Sequence, residues 1–236
     1  MTAHGQRRPR STESAARSEA RREATPVALV ALLVLVALAA VSWTRGWELV
    51  GLPWWSWLVL AVPSLLLTID LLLAYGGTGL VRSRGAAVTL LGLLLAGNFT
   101  ALALLIGGLV TAGSRTLSGG ELLLTGFAIW TTNVVVFALL FWELDGNGPV
   151  ARLRAGERTH PDFQFPPDEN PQLAPRSWRP QVWDYLYLSL TNSVAFSPTD
   201  AMPLSLRAKA AMGLESLISA ATILLVAARA VNVLGS

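Results

Sequence analysis

The chain has 236 residues, 53% hydrophobic and only 14% charged, with a formal net charge of +3. Soluble domains are about 25% charged, so this composition excludes an ordinary water-soluble domain, and its Arg residues sit between apolar runs rather than on one nucleic-acid-binding face. With no cysteine in the chain, a disulfide framework, a thiolate nucleophile and a Cys-ligated metal site are excluded as well.

Residues 1–25 are polar and hold six Arg and three Glu. They offer too little apolar surface to fold alone and read as a mostly disordered basic tail, with a frayed helix against lipid headgroups as the alternative. Residues 26–143 read as a four-span membrane domain. Its first apolar run is Val27 to Trp43. The preceding basic tail and Ala37-Leu38-Ala39 imitate a cleavable signal peptide. The run continues to Trp43 and Trp47, however, aromatic residues of the kind that anchor a retained span at the interface.

The second span is Trp54 to Tyr75, with Pro63 and Asp70 inside it. The third, Ala86 to Ala112, carries Asn98 and Thr100 near its middle. The fourth is Glu121 to Trp142, with Thr131, Thr132 and Asn133 together. Residues 144–181 form a polar, Pro-rich stretch without apolar periodicity, too long for a casual connection. They are expected to be a partly ordered extramembrane loop.

Residues 182–236 hold the most unusual pattern. Trp183 to Phe196 is aromatic and apolar but too short for a span, which needs roughly 20 apolar residues. A break with Pro198 and Pro203 follows, and then the long apolar segment Leu206 to Leu234. Half-helix, irregular turn and full helix is the order of a re-entrant loop; the same pattern also fits a short helix lying in the interface, joined by a loop to a plain anchor. Such backbone is tolerated at membrane depth only inside protein or beside a wet cavity. The expected fold is therefore all-α and polytopic, with five transmembrane helices and one short re-entrant helix before the last.

Sidedness follows from the basic residues. If the first four spans each cross once, fifteen of the eighteen Lys and Arg residues fall on the face that holds the N-terminal tail. Positive charge marks the cytoplasmic side, so the N-terminus is expected in the cytoplasm.

The C-terminal segment resembles the pore-loop and inner-helix unit of bacterial potassium channels. Asp184-Tyr185-Leu186-Tyr187-Leu188-Ser189 is similar to the aromatic pore helix of that unit. Thr191 and Val194-Ala195-Phe196-Ser197 stand where the family has Thr followed by Val-Gly-Tyr-Gly, and Asp200 and Pro203 match its following Asp-x-x-Pro. The whole layout also resembles a family of bacterial multipass membrane proteins with four spans, a Phe-Pro and acidic loop (here Phe165 to Glu169) and a Trp-Asp-aromatic segment before the final helix. These resemblances imply a bacterial inner-membrane protein and a pore lined by Thr191, Asn192, Ser193, Val194, Ala195, Phe196 and Ser197.

The filter of a potassium channel presents backbone carbonyls to the ion, and its glycines adopt backbone angles that other residues reach only at a cost. Ala195 and Ser197 replace those glycines here, and Pro198-Thr199 form an insertion. A potassium-selective ladder is not expected. The charge count also puts the start of this loop on the cytoplasmic side, opposite to its place in the channels: the leading reading is an inverted loop, the others that Trp183 to Phe196 crosses fully to make six crossings or that the similarity is of fold only.

Charged groups inside spans are rare and face protein or water, which singles out Asp70, Glu215 and Arg229. Gly213, Ser216, Ser219 and Ala220 give the last helix a face of small residues, consistent with a homo-oligomer. No catalytic, cofactor or metal site is expected. His160 with Asp162, Asp168 and Glu169 lacks ligand spacing on a rigid element, and Asp145-Gly146-Asn147-Gly148 reads as a turn. The leading functional expectation is an oligomeric permeation protein of undefined selectivity, acting in the lipid bilayer on monovalent ions. The alternatives are a non-conducting scaffold or accessory protein that keeps a pore-like fold, and a proton-coupled carrier using Asp70 and Glu215.

Overall fold

The structure, a computed structural model, describes residues 10–73, 84–110, 118–155, 160–175, 178–195 and 201–234. It is almost entirely helical. Among the described residues, five helices are long and apolar enough to cross a membrane.

The first helix, α1 (Arg10–Arg45), begins far earlier than the apolar run that predicted it. The polar segment before that run is helical from Arg10 onward. Ala is the strongest helix former, and Ala20 and Ala24 are buried. Two acids of this segment reach distant chain. Arg179 Nη2 lies 3.9 Å from Glu19 Oε1, and the Glu23 carboxylate accepts from the backbone N–H of Val182. Those partners are invisible to a local reading of a polar N-terminus.

A tight connection joins α1 to α2 (Trp54–Leu73). It contains a 3-10 turn at Leu49–Gly51 whose Leu49 is fully buried. Val50 sits at φ 51°, a left-handed conformation that is uncommon for a β-branched residue. Trp43 and Trp54 stack obliquely across this connection, 6.4 Å between ring centroids. Helices α3 (Arg84–Val110) and α4 (Gly119–Leu144) complete the group predicted from hydropathy.

Helix α4 is the axis of the bundle and packs against α1 and α3. Ser118 and Glu121 form a reciprocal capping box at its start, Ser118 N–H to Glu121 Oε2 at 2.7 Å and Glu121 N–H to Ser118 Oγ at 3.3 Å. Two of the free helix-end donors are thereby satisfied. Trp47 also lies against Gly120, so the end of α1 and the beginning of α4 share one end of the bundle.

At the opposite end, the polar stretch is more ordered than its composition suggests. Asp145–Asn147 forms a 3-10 turn with Gly146 at φ 55° and Asn147 at φ 66°, as the turn reading expects. There follow α5 (Pro149–Ala155), the two-residue strand β1 (Phe163–Gln164) and the single-turn α6 (Pro166–Glu169). Next comes α7 (Val182–Ala195), fourteen residues long. A second short strand, β2 (Met202–Pro203), pairs antiparallel with β1, Phe163 opposite Pro203 and Gln164 opposite Met202. The chain ends in α8 (Leu206–Leu234), and α4 packs against both α7 and α8.

Large apolar side chains point outward on every long helix, including Leu33, Val59, Leu93, Phe99, Phe127 and Leu217. Apolar exposure of this extent marks a surface meant for lipid or protein rather than water.

Candidate functional site

The site is built around α7 and begins at its first turn. Asp184 Oδ2 accepts from the backbone N–H of Gln181 at 2.7 Å, which caps the helix entry. One residue on, Tyr185 is fully buried and its hydroxyl donates to Asp145 Oδ2 at 2.5 Å. The same buried carboxylate accepts the backbone N–H groups of Asp162 and Phe163 through Oδ1, at 2.6 and 3.2 Å. Asp145 therefore gathers the end of α4, the polar loop and the base of α7 at one point.

Aromatic rings extend that junction. Phe141 faces Phe163 at 5.2 Å, Phe163 faces Tyr185 at 6.2 Å, and Phe165 stands edge-on to Tyr185 at 5.3 Å. Such edge and tilted pairs are worth about 0.5–1.5 kcal/mol each beyond area burial. The Arg152 guanidinium lies 5.4 Å from the Tyr185 ring centre and also donates to the carbonyls of Trp142 and Asp145, at 2.8 and 2.5 Å.

Deeper in the bundle, the inner face of α7 meets α4 and α8. Ser189 Oγ contacts the Val134 carbonyl of α4 at 2.7 Å and the Oε1 of Glu215 on α8. Asn192 spends both hydrogens of its amide there, one on the Met212 carbonyl at 3.0 Å and one on Glu215 Oε2 at 2.7 Å. From the α4 side, Asn133 Nδ2 donates to the Glu215 carbonyl at 3.3 Å and to Ser219 Oγ at 2.9 Å. Asn98 of α3 completes the set, donating to Asn133 Oδ1 at 3.3 Å. Glu215 is 0% exposed. Four helices thus share one buried polar cluster. A cavity with room for roughly one water molecule lies to one side of it, among mostly apolar side chains of α1 to α4, and reaches the cluster only at Asn98.

The chain after α7 comes back to the end from which α7 started. Leu204 N–H donates to the Asp162 carbonyl at 2.8 Å. Arg207 then grips the Asp162 carboxylate with two bonds, Nε to Oδ1 at 2.6 Å and Nη2 to Oδ2 at 2.5 Å. Burial alone would raise the Asp162 pKa. The Arg207 bonds, the Ser205 hydroxyl, the Arg207 charge and the Gly146 N–H outweigh it and hold this carboxyl below its usual value. Arg207 also donates to the Leu144 carbonyl at 3.3 Å. The end of α4, the entry of α7 and the entry of α8 therefore lie together, at the end of the bundle where Glu19 and Glu23 of α1 also lie.

The residues singled out for a pore have separate fates. Asn192 and Ser193 are buried, and Ser193 Oγ donates to the Leu190 carbonyl at 2.8 Å within its own helix. Thr191 is half-buried, and its hydroxyl reaches the Tyr187 and Leu188 carbonyls at 2.9 and 3.0 Å. Val194 and Ala195 are exposed at the end of α7. Phe196 and Ser197 lie outside the described residues.

Among the intramembrane candidates, Glu215 is central to the cluster. Asp70 is buried in α2. Arg229 falls in the final turns of α8, its side chain outside the described residues. The small-residue face of α8 divides: Ser219 meets Asn133, Ser216 turns toward the Asn192 carbonyl at 3.5 Å, and Gly213 is left open. Among the described residues no group of three or more His, Cys, Asp or Glu could hold a metal.

Sequence reasoning missed the Asp145–Tyr185 and Asp162–Arg207 pairs. Their members are separated by dozens of positions, and no short-range spacing points from one to the other. Comparison with known proteins finds no matching protein family, no matching curated protein and no matching solved structure.

Proposed function

We propose that the chain is an integral protein of a bacterial inner membrane with five crossings, in which α7 enters the bilayer from the cytoplasmic side and does not cross. In this reading it is a non-conducting scaffold or accessory protein that keeps a pore-like half-helix without a pore. The observation that carries it is the direction of the polar groups. Ser189 and Asn192 face Glu215 and α4 inside one copy, and the hydroxyls of Thr191 and Ser193 bond to their own helix. The outward stripe of α7 is Trp183, Tyr187, Leu190 and Val194, a surface suited to lipid or a partner rather than to an ion.

Five crossings fit the five long apolar helices. A half-helix fits because α7 rises only about 21 Å at 1.5 Å per residue, against a hydrocarbon core of about 30 Å. The cytoplasmic assignment rests on the bias of basic residues toward the end holding the polar loop.

The test is ion flux from liposomes holding the purified protein, with K⁺, Na⁺, Cl⁻ and H⁺ gradients applied separately. The reading predicts flux no greater than from empty liposomes. Flux that Asn192→Ala or Phe196→Ala changes in selectivity would replace it with the second reading, a pore shared between copies. The exposure of Val194 and Ala195 at the tip of α7, and of Gly213 on α8, favours that alternative. It would show as a homo-oligomer in mild detergent with monovalent ions as the permeant species.

A further inference from the structure

The bonds around Ser189 do not close unless a hydrogen is supplied from elsewhere. Its oxygen makes two close contacts, one to the Val134 carbonyl at 2.7 Å and one to Glu215 Oε1. Each needs a hydrogen between the two oxygens. A serine hydroxyl carries one and a backbone carbonyl none. Once Ser189 donates to Val134, the second hydrogen has to come from Glu215.

The remaining neighbours agree. Asn192 donates its amide hydrogen to the other carboxyl oxygen, Oε2, at 2.7 Å, the arrangement expected when Oε1 carries the proton and Oε2 is the carbonyl oxygen. From α4, Asn133 is turned to the backbone carbonyl of Glu215 and to Ser219. Among the described residues no Lys, Arg or His pairs with Glu215; the groups that face it from α4, α7 and α8 are all neutral. An ionised carboxylate in such a place would be buried with no opposite charge to balance it, which burial penalises.

We infer that Glu215 is a proton-binding site: it is held as a neutral acid, and its O–H donates to Ser189 as a latch that fixes the half-helix α7 against α8. Removing the proton leaves two oxygens in close contact with no hydrogen between them, unless Ser189 abandons Val134. Either response loosens the inner face of α7. The latch is independent of whether the chain conducts, because it concerns how one copy holds its own half-helix.

The experiment is infrared difference spectroscopy of the protein in lipid near neutral pH, wild type against Glu215→Gln. The expected result is a protonated-carboxyl C=O band that is lost in Glu215→Gln and moves to higher frequency in Ser189→Ala, where its hydrogen bond is gone. A wild-type spectrum without a band assignable to Glu215, or a band indifferent to Ser189→Ala, would overturn the inference.

Hydrogen exchange of α7 supplies a second readout, with Glu215→Gln as an uncharged, near-isosteric reference. The wild type is expected to lose α7 protection in alkaline solution by several-fold more than Glu215→Gln. Equal pH profiles in the two proteins would sink the latch.

Discussion

Tyr185 Oη donates to Asp145 Oδ2 at 2.5 Å, with both residues fully buried. This bond fastens the first turn of α7 to the end of α4, and the two backbone N–H groups on the same carboxylate draw in the polar loop. Tyr185→Phe keeps the ring contacts and removes one donor from a buried acid. It is expected to destabilise the protein by about 1–3 kcal/mol, read by thermal unfolding in detergent and by faster hydrogen exchange at the start of α7. Unchanged exchange there would mean that the bond does not hold the helix.

A second prediction concerns acid. The Asp162 pKa is lower in the folded protein than in the unfolded chain, because Arg207 and its other partners outweigh the effect of burial. The stabilisation it contributes is therefore fully present above the unfolded carboxyl value and is lost as pH falls through the folded one. Wild type should lose stability over that acidic window, and Asp162→Asn, which does not titrate, should show less pH dependence there and lower stability at neutral pH. Matching acid profiles would contradict this assignment.

A third prediction tests close packing between α4 and α8. A Cβ at Gly126 would collide with the side chain of Val226, and a β-branched residue has little freedom to turn away. Gly126→Ala is expected to cost about 1–3 kcal/mol as an overpacked contact. Adding Val226→Ala should recover much of it. A double variant no more stable than Gly126→Ala would show that the two residues do not meet.

The amide pair Asn98 and Asn133 gives a fourth. Their bond crosses from α3 to α4 in the apolar interior. A double-mutant cycle with Ala at each position should return a coupling of about 0.6 kcal/mol, with about 2 kcal/mol as its upper end. A coupling of zero would detach Asn98 from the cluster.

Much of the architecture was legible because it rests on composition and length. The four expected spans overlap α1 to α4, and the short aromatic stretch that begins at Trp183 corresponds to the fourteen-residue α7. The helix in the N-terminal segment was less legible, because Glu19 and Glu23 meet partners remote in sequence that its own hydropathy does not reveal. Of the pore candidates, Thr191 to Ala195 belong to α7 itself rather than to a loop after it, and the side they face was not evident. Val182, Tyr185, Ser189 and Asn192 recur at intervals of three and four, and Leu188 and Ser193 lie beside them, so they form one helix face. A half-polar stripe of that kind reads equally as a wet lining or as a packed seam. The seam becomes recognisable only when Glu215 and Val134 are set opposite it.

The claim on which this account turns is that α7 enters and leaves on one side. The native chain has no cysteine, so single cysteines at Gln181, Met202 and Thr44 can be labelled in sealed vesicles with a membrane-impermeant maleimide. Gln181→Cys and Met202→Cys are predicted to react from the same side, and Thr44→Cys from the opposite one. Gln181→Cys and Met202→Cys reacting from opposite sides would mean that the segment between them crosses the membrane, and the re-entrant account would be wrong.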